Sequence, residues 1–194
     1  MRKTEELIKK NVELLRIVDN LPLYEINKDI ANTIKADKIS DRAKIASLYK
    51  SIRIHVEKNL NKSPYLVSIA QKVEDIITHL RERQRSVESA LKELTANAEE
   101  IAKAEEEQKN SGMNREEFSY FWILRRYGVK EPENKAIEIQ NVVSERKHWL
   151  FNENVERELR KELYKLLLDY SGDVVKLVNE LLGIDKIMRG EKNE

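Results

Sequence analysis

The sequence has no cysteine, five glycines and three prolines among 194 residues, and aromatic side chains make up only 6% of it. Without cysteine there is no disulfide framework, no thiolate nucleophile and no Cys-based zinc site. None of the five glycines falls into GxGxxG or GxxxxGK(S/T) spacing. Backbone can approach a phosphate closely only where such glycines stand, so a dinucleotide turn and a phosphate loop are both excluded. No apolar run is long enough to span a bilayer, and the opening MRKTEELIKK lacks the apolar core of a signal peptide. A cytoplasmic protein with no membrane partner is expected. An excess of one charge is missing too: the formal net charge is +1. That argues against strong non-specific nucleic-acid binding by the whole surface, which scales with the number of cationic phosphate contacts.

What is present is charge and aliphatic bulk. Charged residues make up 37% and hydrophobic residues 40%, a helix-rich, turn-poor composition. Apolar residues recur at helical spacing along the chain. Residues 3–18 carry Leu7, Val12, Leu14, Leu15 and Val18 on one face, and Asn20-Leu21-Pro22 ends that helix because the residue before proline is pushed out of the α region. A second helix carries Ile26, Ile30 and Ile34. Ser40-Asp41 opens a third with Ile45, Leu48, Ile52 and Val56, and Ser63-Pro64 opens a fourth, Ser as cap and Pro in the first turn.

A heptad can be drawn from that fourth helix onward through Leu80, Val87, Leu94 and Ile101, the pattern of a long coiled coil. The polar Gln84 in the alternate seam and the cap-like Ser86 after RERQR favour a break instead. The fifth helix then runs from about Val87 to Lys109 and stops at Asn110-Ser111-Gly112. Asn114 with Glu117 makes a capping-box start for an aromatic helix that Gly128 terminates. Further helices follow Pro132, Asn152 and Asp173, and Gly190 opens a frayed tail. No stretch alternates with a two-residue period. The fold class expected is all-α, an irregular multi-helix bundle of about eight or nine helices. A boundary is expected near residues 59–64, giving a small N-terminal helical part, 1–60, and a C-terminal helical bundle, 61–194.

Catalytic chemistry finds little support. The three histidines, His55, His79 and His148, stand far apart. Glu145 and His148 share a helix face at Glu-x-x-His spacing, but a carboxylate-bridged metal site needs two such pairs and further inward carboxylates. No GxSxG elbow exposes a serine. The abundant carboxylate pairs look like helix-surface ion pairs, and no strands are available to carry a nuclease centre. No catalytic, cofactor or metal-binding residues are therefore assigned. Basic clusters are the better candidates for partner or DNA contact: Arg81, Arg83 and Arg85 at the joint, Arg125, Arg126 and Lys130 after the aromatic helix, and Arg146 and Lys147 before Trp149. The plainer reading is that cations gather at helix C-termini because the helix dipole favours them there. Phe118, Phe121, Trp122 and Trp149 read first as core, with a docking patch as the alternative.

The string RERQRSVESALKELTANAEEIAKAEEEQKNSGMNREEFSYFWIL resembles the C-terminal helical domain of type I restriction enzyme R subunits. In that family a basic joint leads to a capped helix rich in Leu and Glu. A break of the form glycine, hydrophobic, Ser or Asn, any residue, Glu-Glu-Phe follows, matched by Gly112-Met113-Asn114-Arg115-Glu116-Glu117-Phe118. Trp149, Asn152 and VERELRKELYKLLLDY match its later Trp, Asn and basic helix. The likeness covers roughly residues 60–185, and its motifs are helix-surface patterns rather than catalytic signatures. It implies the helical end of a large ATP-driven DNA translocase and endonuclease that assembles with methyltransferase and specificity subunits. The nuclease and helicase motifs of that parent are not in this chain, so the piece itself is expected to be a non-catalytic assembly module docking on the methyltransferase core. A DNA-binding helical module using the arginine clusters and a free-standing coiled-coil scaffold are the alternatives.

Overall fold

The computed structural model describes residues 21–146 and 148–190, which hold eight α-helices and no strand. They are α1 (Ile30–Ala36), α2 (Asp41–Asn59), α3 (Leu66–Arg81), α4 (Val87–Asn110), α5 (Arg115–Arg126), α6 (Pro132–Glu145), α7 (Glu153–Leu166) and α8 (Val174–Gly190), with a 3₁₀ turn over Trp149–Phe151. The all-α, multi-helix architecture expected from the sequence is the one observed. The helix expected over 3–18 and the tail beyond Gly190 lie outside the described residues. Among those described, the chain divides into two compact units: 21–57 with Ile69–Lys103, and Lys58–Ser68 with 104–190.

In the first unit the aliphatic stripes close on one another: Ile30, Ile34, Ile45, Leu48, Ile52, Ile69, Val73, Leu94 and Ile101 are all buried, each such side chain adding about 1.5–3 kcal/mol when fully covered. Ile26 is buried as well, but it precedes α1 instead of belonging to it. Asn27 accepts from the Asp29 N–H at 2.9 Å, and this local turn delays the helix to Ile30. The Ser51 hydroxyl joins chain segments by accepting from the Tyr24 N–H at 2.8 Å while donating to the Ser47 carbonyl at 2.7 Å. Tyr49 donates to Glu74 at 2.7 Å.

The long coiled coil does not form, because α3 stops at Arg81. The Gln84 N–H bonds the His79 carbonyl at 2.9 Å and the Arg83 N–H bonds the Leu80 carbonyl at 3.2 Å. That is the Schellman pattern of helix termination, with Arg83 at φ 56° in the left-handed position where glycine usually stands. Ser86 then caps α4 by accepting from the Ser89 N–H at 3.1 Å. At the start of α3, Ser63 departs from its expected capping role. Its hydroxyl donates to Gln108 at 2.9 Å, and three successive i→i+3 bonds from Leu66, Val67 and Ser68 lead into the helix.

The second unit is built around α5, on which every residue from Phe118 to Leu124 is buried. Phe118 meets Tyr65 edge-on at 5.1 Å and Phe121 at 5.5 Å between ring centroids. The capping box expected at Asn114 is present: Asn114 accepts from the Glu117 N–H at 2.9 Å, and Glu117 accepts from the Asn114 N–H at 2.8 Å. Gly128 ends α5 at φ 71° in a second Schellman motif, with Val129 bonded to the Leu124 carbonyl at 3.0 Å. Asn152 caps α7, accepting from Asn154 at 3.0 Å and Val155 at 3.3 Å.

Deep in this unit lies one carboxylate, Asp185, 3% exposed. One of its oxygens accepts from the Tyr120 hydroxyl at 2.8 Å, the other from the Trp149 indole N–H at 2.7 Å and from Arg189 Nε at 2.6 Å. Arg189 also donates to the Val143 carbonyl at 3.1 Å. A buried ion is tolerated only when it is paired and its remaining hydrogen-bonding capacity is met, and here both oxygens are occupied.

Replacing Asp185 by Ala strands the arginine, the phenol and the indole N–H together, and is expected to cost about 3–5 kcal/mol. Both tryptophans lie in this unit, so urea unfolding followed by tryptophan fluorescence measures it there. Arg83→Gly removes a left-handed non-glycine residue, whose cost is roughly 1 kcal/mol, at an exposed position. It is expected to raise the melting temperature in circular dichroism, whereas a glycine inside α4 lowers it.

Candidate docking site

Basic side chains follow directly from the way α5 ends. Its last turn carries Arg125 and Arg126, where cations are favoured by the helix dipole, and the Gly128 turn then exposes Lys130. The Arg125 guanidinium lies 4.9 Å from the Phe121 ring centroid and 4.7 Å from that of Trp122, and it is ion-paired to Glu107. Arg126 is ion-paired to Glu180 and lies 5.5 Å from the Tyr127 ring. Tyr127 donates to the same carboxylate at 2.7 Å. Burial, and next the Glu180 hydrogen bond, push the Tyr127 phenol up to about 12. Lys130 contributes to the field that, after a hydrogen bond from Lys135, holds Asp169 below the ordinary carboxylate value.

The remaining candidates are dispersed. Arg81, half-buried, and exposed Arg83 stand at the α3–α4 joint, while Arg85 is paired with Glu93. These three belong to the first unit, and Arg125, Arg126, Lys130, Arg146 and Trp149 to the second. Arg146 reaches Glu145 at 3.7 Å and donates to the Val142 carbonyl at 3.0 Å, closing off the end of its own helix. Lys147 lies outside the described residues. Trp149 is 5% exposed and holds its turn to Asp185. Four of the candidate arginines thus already face a carboxylate of this chain. Among the described residues, no group of three or more His, Asp or Glu side chains is arranged to hold a metal ion, and no helix is long and apolar enough to cross a membrane.

Two residues that sequence reasoning passed over matter more. Asp185 sits in a run, GIDKIMRG, with the look of an ordinary helix surface, and only the donors that converge on it reveal its role. Phe151, in the 3₁₀ turn fixed from inside by Trp149, is 81% exposed. Its signal was available: an aromatic standing immediately before a helix cap, outside the apolar stripe of α7. An exposed aromatic is the kind of side chain that can anchor a protein interface.

No family model matches the chain, and no solved structure matches it. It is similar, at 23% identity, to the protein of Methanocaldococcus jannaschii named "Putative type I restriction enzyme MjaIXP endonuclease subunit". The alignment takes in 91% of this chain but only 19% of that protein, so the chain spans about a fifth of the length of its relative.

Glu180→Gln removes the charge shared by Arg126 and Tyr127. The Tyr127 phenol is expected to titrate below its value of about 12, which a spectrophotometric tyrosine titration against the parent detects. Tyr24, Tyr49, Tyr65, Tyr120 and Tyr127 are all raised, in each case chiefly by burial. In the unfolded chain they release protons near the ordinary value of 10.0, while the folded protein still holds them. The stability they contribute is therefore complete below about pH 10 and lost as the pH climbs through the folded values. Melting temperatures recorded from pH 8 to 12 are expected to fall from about pH 10 upward.

Proposed function

We propose that this chain is a helical assembly module of a type I restriction enzyme endonuclease subunit, docking a DNA translocase and endonuclease onto its methyltransferase and specificity subunits. The observation that carries this reading is the similarity just described, which runs along nearly the whole chain yet occupies a fifth of a restriction enzyme subunit. The all-helical fold of the described residues is compatible with a structural, assembling part. Nuclease and ATP-driven motor activity then belong to the rest of the subunit.

The docking surface is read on the second unit at the Trp149–Phe151 turn, with the basic segment Arg125–Lys130 as a separate contact. Phe151 is its apolar anchor, and Trp149 acts from inside by holding the turn that presents it. The charges of Arg125, Arg126 and Arg146, elsewhere on the unit, are already paired with Glu107, Glu180 and Glu145. Paired charges of this kind set orientation and encounter rate more than affinity.

Titration of the folded chain against the assembled methyltransferase–specificity complex tests the proposal, with binding at about micromolar Kd or tighter expected. Phe151→Ala is expected to weaken it by about 2 kcal/mol, roughly 30-fold, as loss of a buried aromatic anchor does. Absence of binding by folded protein overturns the docking reading. If the chain instead binds duplex DNA with an affinity that falls steeply with salt, phosphate contact by exposed cations such as Arg83 and Lys130 replaces it.

A further inference from the structure

We draw no further inference here: the strongest candidate, the exposed apolar side chains of Leu168 and Val175 flanking the turn between α7 and α8, carries nothing because nothing in the structure shows what covers them.

Discussion

The second unit depends on the buried carboxylate of Asp185. Its three donors come from α5, from the 3₁₀ turn and from α8, and Arg189 adds the end of α6 through the Val143 carbonyl. Hydrophobic burial alone would let these helices slide against one another at small cost, because apolar contact is non-directional. A buried charge does not permit that, since losing any donor leaves the ion short of the bonds that offset its desolvation. The position of the Trp149–Phe151 turn, and with it the exposure of Phe151, follows from this one constraint.

The abundance of surface charge has a different consequence. A composition with 37% charged residues suggests many cations ready for a polyanion, but the folded chain already pairs half of those singled out with its own carboxylates. Arg125 is held between two aromatic faces and Glu107, Arg126 shares Glu180 with Tyr127, and Arg85 takes Glu93. A phosphate would have to displace a carboxylate at each of these positions. Partly exposed pairs of this kind contribute little stability singly, yet together they leave a surface on which an exposed aromatic stands out more than any cation does.

Much of the helical layout was legible because termination is local chemistry. The Asn114–Glu117 box, the Asn152 cap, the Ser86 start and the Gly112 and Gly128 stops all involve groups within a few residues of one another. The joint after Arg81 was marked only indirectly, since Arg83 stands where a glycine would have given the sign. Long-range pairing left no such mark. Glu180 is 54 residues from Arg126, and Asp185 is 65 from Tyr120, and nothing in either sequence neighbourhood names the partner. For the same reason Trp149, flanked by basic residues, could be read as core or as a docking patch until its acceptor was known. The 3₁₀ turn over Trp149–Phe151 was also invisible, being too short to set up a period of its own.

The two units are interleaved along the chain. Lys58–Ser68 belongs with 104–190, while Ile69–Lys103 returns to the unit that begins the described chain. Neither is therefore a contiguous stretch, and no single cut of the polypeptide releases one of them whole. A fragment starting after Ser68 lacks Tyr65, which is fully buried against Phe118 and Trp122, and one ending before Ile69 lacks half of the other unit's core. Either unit can be transplanted whole only together with the other.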